Sequence, residues 1–402
     1  MIQQPPEEEF KHHRKLLRKL RDYGFGGKPL AWLESYLHDR MQRVTAFRVN
    51  SQALPVTSGD SQGSILGPML FLLYVNSLLG TVKSSHVTAF ADDTKIFKSK
   101  KAPTDATLLQ DDLSNLATWS SSAGLMFNES KCKAQRITRR HNLVSNMYHI
   151  NGVPLVVTST ERDLGVIISD KLSWNKQVCE QCAKSNRVLG FVRRNTRSIK
   201  SVSVRRIIYL TLVRSHLGYA TQVWAPQSKE LIRKTERIQR RATKYILNVP
   251  FLCEESYKDR LIKLDLLPLS YWHEYLDMVF FFKSVTGLVK VNPTVIPTRR
   301  VLSRATRSSS NTNVTLFVPK KCKTTTYQRS FFTRTVRIWN ALADDIGLSE
   351  TISLSSFKAH LLSYYKQSLC KSYDPEDPRS FKSICTSCNR ARNLIRNIDC
   401  CY

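Results

Sequence analysis

The stretch from Ser85 to Phe97 constrains the fold more than any other part of this sequence. Two short β-prone runs, His86-Val87-Thr88-Ala89-Phe90 and Thr94-Lys95-Ile96-Phe97, flank the adjacent carboxylates Asp92 and Asp93. That is the pattern of a hairpin with the acids at its tip. Adjacent like charges disfavour each other, and consecutive strand residues face opposite sides, so folding alone gives no reason to pair them. A solvated acidic turn is one account of the pair. A divalent-cation site is the other, since Mg2+ takes hard oxygen ligands and leaves room for phosphates.

Around the hairpin the apolar spacing turns helical. Leu16, Leu20 and Tyr23 recur at helical steps, and after the Gly24-Phe25-Gly26-Gly27 break Leu30, Leu33 and Leu37 share one face. Gln42 to Val49 alternates and predicts a strand. Ser58 to Gly63 reads as a polar turn leading into an apolar helix over Ile65 to Leu79. Leu108, Leu109, Leu113, Leu116 and Trp119 mark an amphipathic helix that Gly124 ends, and Leu125 to Ile137 reads as extended. The regions Asn175–Asn248, Leu264–Val289 and Phe331–Tyr365 are helical in pattern. Pro293 to Thr326 is polar and weakly periodic, a long linker or an ordered loop.

The 402 residues carry a formal charge of +30, and 42% are hydrophobic, enough to exclude a disordered polyelectrolyte. The charge is uneven: +2 over residues 1–130, +17 over 131–260 and +11 over 261–402. A polyanionic partner follows, with nucleic acid the default and a merely solubilised basic surface the alternative. No apolar run has the length of a membrane span, and Met1 to Leu20 has no signal-peptide core. The expectation is an intracellular protein of nucleus or cytoplasm, not secreted and without a membrane partner, whose ten cysteines are reduced thiols. Cys385-x-x-Cys388 and Cys400-Cys401 offer four thiolates, enough for Zn2+; free thiols are the other reading. Cys179-x-x-Cys182 falls in a helical region and reads as packing.

Three motifs in order then add a resemblance. Phe90-Ala91-Asp92-Asp93 resembles the aromatic-x-Asp-Asp motif of reverse transcriptases. About thirty residues upstream, Gln62-Gly63-Ser64 opens a stretch through Phe71 that resembles the family's Pro-Gln-Gly-Ser motif and its helix. Downstream, Asn128-Glu129-Ser130-Lys131 resembles the next palm motif. The resemblance is to reverse transcriptases of LINE-type (non-LTR) retrotransposons. It continues through Arg162-Asp163-Leu164-Gly165-Val166 and Val223-Trp224-Ala225-Pro226.

The resemblance implies an RNA-directed DNA polymerase working by two-metal nucleotidyl transfer, with Mg2+ or Mn2+ on Asp92 and Asp93. RNA template, DNA primer and deoxynucleoside triphosphates are the implied partners. Lys131 would meet phosphates or protonate the leaving group, or else is a solvated surface lysine. Gln62, Gly63, Ser64, Phe90 and Ala91 would contact template or nucleotide. Gly63 lets a strand approach the backbone, Ser64 alone would read as a helix cap, and Phe90 is expected to pack beneath the turn. Arg193, Arg194, Arg197, Arg205, Arg206, Arg237, Arg240 and Arg241 would hold nucleic acid.

The fold class expected is α+β. A partial polymerase palm, a small antiparallel sheet with backing helices, would span 1–140. A connection and basic helical thumb would follow over 141–260. A helical C-terminal region with polar linker and cysteine tail would span 261–402. The sequence departs from the family in places. Ser61 stands where proline is usual, and Ser77 stands where aspartate is. Aligning His13 puts Glu9 where the family has its first catalytic aspartate, in the acidic run Glu7-Glu8-Glu9 rather than on a strand. Fingers motifs and an endonuclease domain are missing, so an N-terminally truncated and impaired enzyme is expected. A non-catalytic module binding RNA or an RNA–DNA hybrid is the alternative.

Overall fold

The computed structural model of the protein describes residues 2–3, 10–56, 59, 63–139, 146–226, 228–250, 254–300, 315–346 and 352–374. The chain forms two compact units, Met1–Ser159 and Thr160–Tyr402. Helices and small sheets are mixed, and each sheet among the described residues has two strands.

In the first unit a short strand β1 (Ile2–Gln3) precedes helices α1 (Phe10–Asp22) and α2 (Gly27–Leu37). Strand β1 pairs with Met126–Phe127, although the Gln3–Pro6 stretch reads as no strand. Backbone groups make that pairing, so a two-residue strand needs little from its side chains. Leu16, Leu17 and Leu20 of α1 and Leu30, Leu33 and Leu37 of α2 are buried, as the spacing predicts; Tyr23 stays exposed. They pack with Leu70, Tyr74 and Val75 of α3 (Gly67–Val75) and with Ala123 and Leu125.

The predicted strand from Gln42 to Val49 is instead folded back on itself. Strands β2 (Met41–Gln42) and β5 (Leu54–Pro55) enclose β3 (Thr45–Ala46) and β4 (Val49–Asn50) in one ribbon. Its two-residue turn is Phe47-Arg48, with φ of 49° and 68°. Paired positive φ values define a type I′ turn, which favours Asn-Gly, so Phe47-Arg48 carries no turn signal.

The hairpin of β6 (His86–Phe90) and β7 (Asp93–Phe97) forms in the predicted place. Helix α4 (Thr104–Ala123) follows and ends on Gly124 at φ 72°. Short strands complete the unit: β8 (Met126–Phe127), β9 (Lys133–Gln135), β10 (His149–Ile150), β11 (Val153–Pro154) and β12 (Val156–Thr158). The extended stretch predicted after Leu125 is broken by a 3-10 turn at Glu129–Lys131.

The second unit opens with the hairpin β13 (Thr160–Asp163) and β14 (Val166–Ser169). Helices follow: α5 (Asn175–Asn195), α6 (Val202–Ile208), a π-helical turn at Tyr209–Arg214, α7 (Ser215–Gly218), α8 (Thr221–Trp224) and α9 (Lys229–Leu247). Then come α10 (Tyr257–Lys263), α11 (Leu269–Val285), α12 (Thr325–Gln328), α13 (Phe331–Ile346) and α14 (Leu354–Ser372). The unit is continuous across position 260, with Arg260 and Leu261 both buried. Its core is aromatic: Trp224, Tyr271, Phe281, Phe282, Trp339, Phe357 and Tyr365. Of the polar connection, Phe317 enters this core, and an isolated bridge joins it to Arg299. Those described parts are an ordered loop. Among the described residues no helix is long and apolar enough to cross a membrane.

Candidate active site and nucleic-acid interface

The hairpin turn is Ala91-Asp92, because Phe90 pairs directly with Asp93. Ala91 takes a φ of 51°. A left-handed non-glycine residue costs roughly 1–3 kcal/mol, and such strain gathers at functional turns. Asp92 is partly buried and Asp93 exposed. Phe90 does not pack beneath the turn: it is 66% exposed, and among the described residues β6 pairs with β7 alone.

One residue that sequence reading passed over sets the hairpin in place. Asp112, on α4, is only 1% exposed. Its carboxylate accepts the backbone N–H groups of Lys83 (2.8 Å) and Ser84 (3.0 Å), just before β6. Burial pushes this carboxyl up, but the hydrogen bonds from Lys83, Ser84 and Ser85 outweigh it and hold it below the usual range. The available signal was an acid on the face that also carries Leu109, Leu113 and Leu116.

Gly63 and Ser64 stand at the mouth of α3. Gly63 has φ +83° with open space around its α-carbon, so the backbone conformation itself calls for glycine. Ser64 Oγ accepts the N–H of Gly67, the first residue of α3, at 2.9 Å, although the N-cap position itself is Leu66. Gln62 lies outside the described residues, as do Ser61 and Glu9. His13 Nε2 lies 2.9 Å from the Gly59 carbonyl oxygen, which ties α1 to the loop before Gly63. Lys19 Nζ donates to the Tyr74 carbonyl (2.5 Å) and to Ser77 Oγ (3.0 Å). Lys131 is exposed, on the 3-10 turn after β8.

The motifs thus sit on separate elements of one unit. Helix α3 runs into a 3-10 turn at Asn76–Thr81 that packs on both β6 and α4, and α4 packs on β8. Asp92 and Asp93 suit a hard cation by their chemistry, since Mg2+ is held by one or two carboxylates plus substrate phosphates. Among the described residues no group of three or more acids, histidines or cysteines is placed to hold a metal.

Of the eight arginines expected to meet nucleic acid, Arg193, Arg194, Arg197, Arg237 and Arg241 are exposed on α5 and α9 or just beyond. Arg205 is corrected: it is 4% exposed. Its guanidinium donates to the carbonyls of Ile199 and Tyr245 and to Asn248 Oδ1, so it caps the end of α9. Arg206 likewise donates to the carbonyls of Leu264 and Asp265 at the end of α10. Free carbonyls and the negative end of the helix dipole draw both inward. Arg240 is partly buried over the Tyr257 ring, 5.0 Å from its centre. Cys182 packs in the core, whereas Cys179 is exposed and accepts a hydrogen bond from Lys234 Nζ. Cys385, Cys388, Cys400 and Cys401 lie outside the described residues.

Comparison with known proteins agrees with the motifs. Residues 12–191 match the sequence model of the family "Reverse transcriptase (RNA-dependent DNA polymerase)". The chain is 24% identical over 239 residues to a probable RNA-directed DNA polymerase from transposon X-element of Drosophila melanogaster, covering 58% of this chain and 26% of the relative. It is 26% identical over 235 residues to the probable enzyme from transposon BS of the same fly, covering 54% and 25%. To the RNA-directed DNA polymerase from mobile element jockey it is 22% identical over 242 residues, covering 58% and 26%. The chain therefore matches about a quarter of the length of these relatives. Residues 12–191 of this chain are thus similar to a reverse transcriptase domain, and the relatives are RNA-directed DNA polymerases of LINE-type non-LTR transposons.

Proposed function

We propose that the Asp92-Asp93 hairpin holds the catalytic metals of an RNA-directed DNA polymerase palm, which takes RNA template, DNA primer and deoxynucleoside triphosphates. One observation supports this most: two adjacent carboxylates are presented at a turn with left-handed Ala91, and a buried aspartate anchors the chain just before β6, the strand that leads into that turn. Neither the charge pair nor the strained turn helps the fold. Bound Mg2+ or Mn2+ would activate the primer hydroxyl and neutralise the leaving pyrophosphate. Asp92 and Asp93 supply oxygen ligands, and Lys131 meets phosphate. The loop at Gly63 and Ser64 faces the template or nucleotide, and the exposed arginines of α5 and α9 hold the nucleic acid, the work of a thumb.

The chain by itself works poorly in this reading. When His13 is aligned with the family's histidine, Glu9 of an acidic run takes the place of the first aspartate, and a misplaced ligand costs about 10²-fold in rate. Primer extension by the purified chain, with Mg2+ and then Mn2+, tests the assignment. Weak incorporation that Asp92→Ala abolishes supports it, and strong incorporation removes the impairment. Nucleic-acid binding without any incorporation favours the second reading, a binding module, which the exposed basic residues of the helical unit also support.

A further inference from the structure

The ribbon of residues 41–55 has no role in the site described above, and its exposure is unusual. Phe47, at its tip, is 100% exposed. Register places Val44, Ala46 and Val49 on one face and Arg43, Thr45 and Asn50 on the other. Val44 and Val49 are also largely exposed. Ser51 Oγ accepts the Val44 N–H, and Thr45 Oγ1 donates to Asn50 Oδ1, so the ribbon is held by its own hydrogen bonds.

The turn residues oppose the fold twice. Both Phe47 and Arg48 are left-handed, which their backbones resist, and neither gains from burial. The same chain makes the same kind of turn between β10 and β11 with Asn151-Gly152, at φ of 50° and 79°. That is the pair such turns favour. Packing therefore does not account for Phe47-Arg48. From residue 40 to 56 there are three arginines and no carboxylate. Arg40 is tethered to Tyr36, with its guanidinium 4.5 Å from the ring centre. Arg43 and Arg48, before and after Phe47 along the chain, are exposed.

We infer that this ribbon grips a single strand of nucleic acid, with the Phe47 ring stacked on a base and Arg43 and Arg48 on flanking phosphates. Aromatic stacking combined with cations is how single strands are held without regard to sequence, and the fixed positive charge selects a polyanion over an apolar protein surface. The inference shares with the polymerase reading only its polyanion, and it stands on different residues.

Fluorescence anisotropy with labelled single-stranded RNA, single-stranded DNA and blunt duplex tests it on the full chain. Replacing Phe47→Asn together with Arg48→Gly restores the favoured turn, so the melting temperature holds or rises. Affinity for the single strand falls about tenfold or more, while duplex affinity barely moves. Phe47→Trp retains affinity. Arg43→Gln with Arg48→Gln flattens the slope of log K against log salt by about 1.4. The RNA and DNA arms show which strand occupies the ribbon. Unchanged single-strand affinity in the Asn-Gly variant overturns the inference. So does a wild-type dimer that this variant dissociates, since a second copy would then be the occupant. Asp92→Ala leaves ribbon binding intact, so loss of incorporation and loss of ribbon binding are read separately.

Discussion

The two units treat their acids in opposite ways. In the first, Asp92 and Asp93 sit at a turn with few neighbours and pay in charge repulsion and backbone strain. In the second, Glu236, Glu274 and Asp277 are buried, and each is answered by the fold. Glu236 accepts the Leu269 N–H at 2.9 Å and the Tyr257 hydroxyl. Glu274 accepts from the Tyr365 hydroxyl at 3.1 Å. Asp277 accepts two hydrogen bonds from Arg334, at 2.9 and 2.7 Å. Packing explains the second set and leaves the first unexplained, which is the pattern expected when one set serves chemistry and the other structure.

That contrast predicts a separation of phenotypes. The largest effect is on activity: Asp92→Ala removes whatever incorporation the chain shows, by a hundredfold or more, while stability stays within about 0.5 kcal/mol. Primer extension and urea unfolding, run side by side, measure both. A large loss of stability in that variant would break the contrast. The reverse holds for Asp277→Ala, which strands Arg334 in the core and costs about 3–5 kcal/mol in urea unfolding.

Asp112 is the case that sharpens the rule, being a buried structural acid in the unit that carries the exposed pair. Asp112→Ala leaves the N–H groups of Lys83 and Ser84 without their acceptor, at a cost of about 2–3 kcal/mol. It also lowers incorporation, because the hairpin loses its anchor. With a folded-state pKa below the ordinary one, Asp112 adds stability above that ordinary value. The contribution is lost as pH falls through the folded one.

In the second unit the sign is opposite. Burial raises Glu274 from 4.5 to about 8. The folded state thus holds a proton that the unfolded chain has released, and stability falls as pH rises through that range. Asp277 is raised to about 6 by burial, against the pull of Arg334, and acts the same way at lower pH. His273, lowered by burial to about 4, acts in the opposite sense between pH 4 and 6.5. From pH 6.5 to 8 Glu274 loses about 1–2 kcal/mol of its contribution, and Glu236, also raised by burial, acts in the same sense. The fall in unfolding stability over this window is about 1–2 kcal/mol smaller in Glu274→Gln than in the wild type if the assignment holds. The smallest effect is at the strained turn: Ala91→Gly stabilises the hairpin by a few tenths to about 1 kcal/mol, read as a small rise in melting temperature.

Local patterns made most of the elements legible. The Asp92-Asp93 hairpin is written in adjacent residues, and the first two helices are written in the spacing of Leu16, Leu20, Leu30, Leu33 and Leu37. Where a local signal was lacking, the reading failed. Phe47-Arg48 carries no turn chemistry, so a ribbon read as a strand. Arg205 and Arg206 look like their exposed neighbours until the ends of α9 and α10 arrive beside them.

The sequence by itself determined the periodicities, the motif order and the uneven charge, because each depends on residues close along the chain. Only tertiary structure decided that Asp112 anchors the hairpin, that Phe317 of the polar connection enters the core, and which arginines meet solvent. Those outcomes depend on backbone groups brought in from distant segments, and a buried donor or acceptor must find its partner wherever the fold puts one.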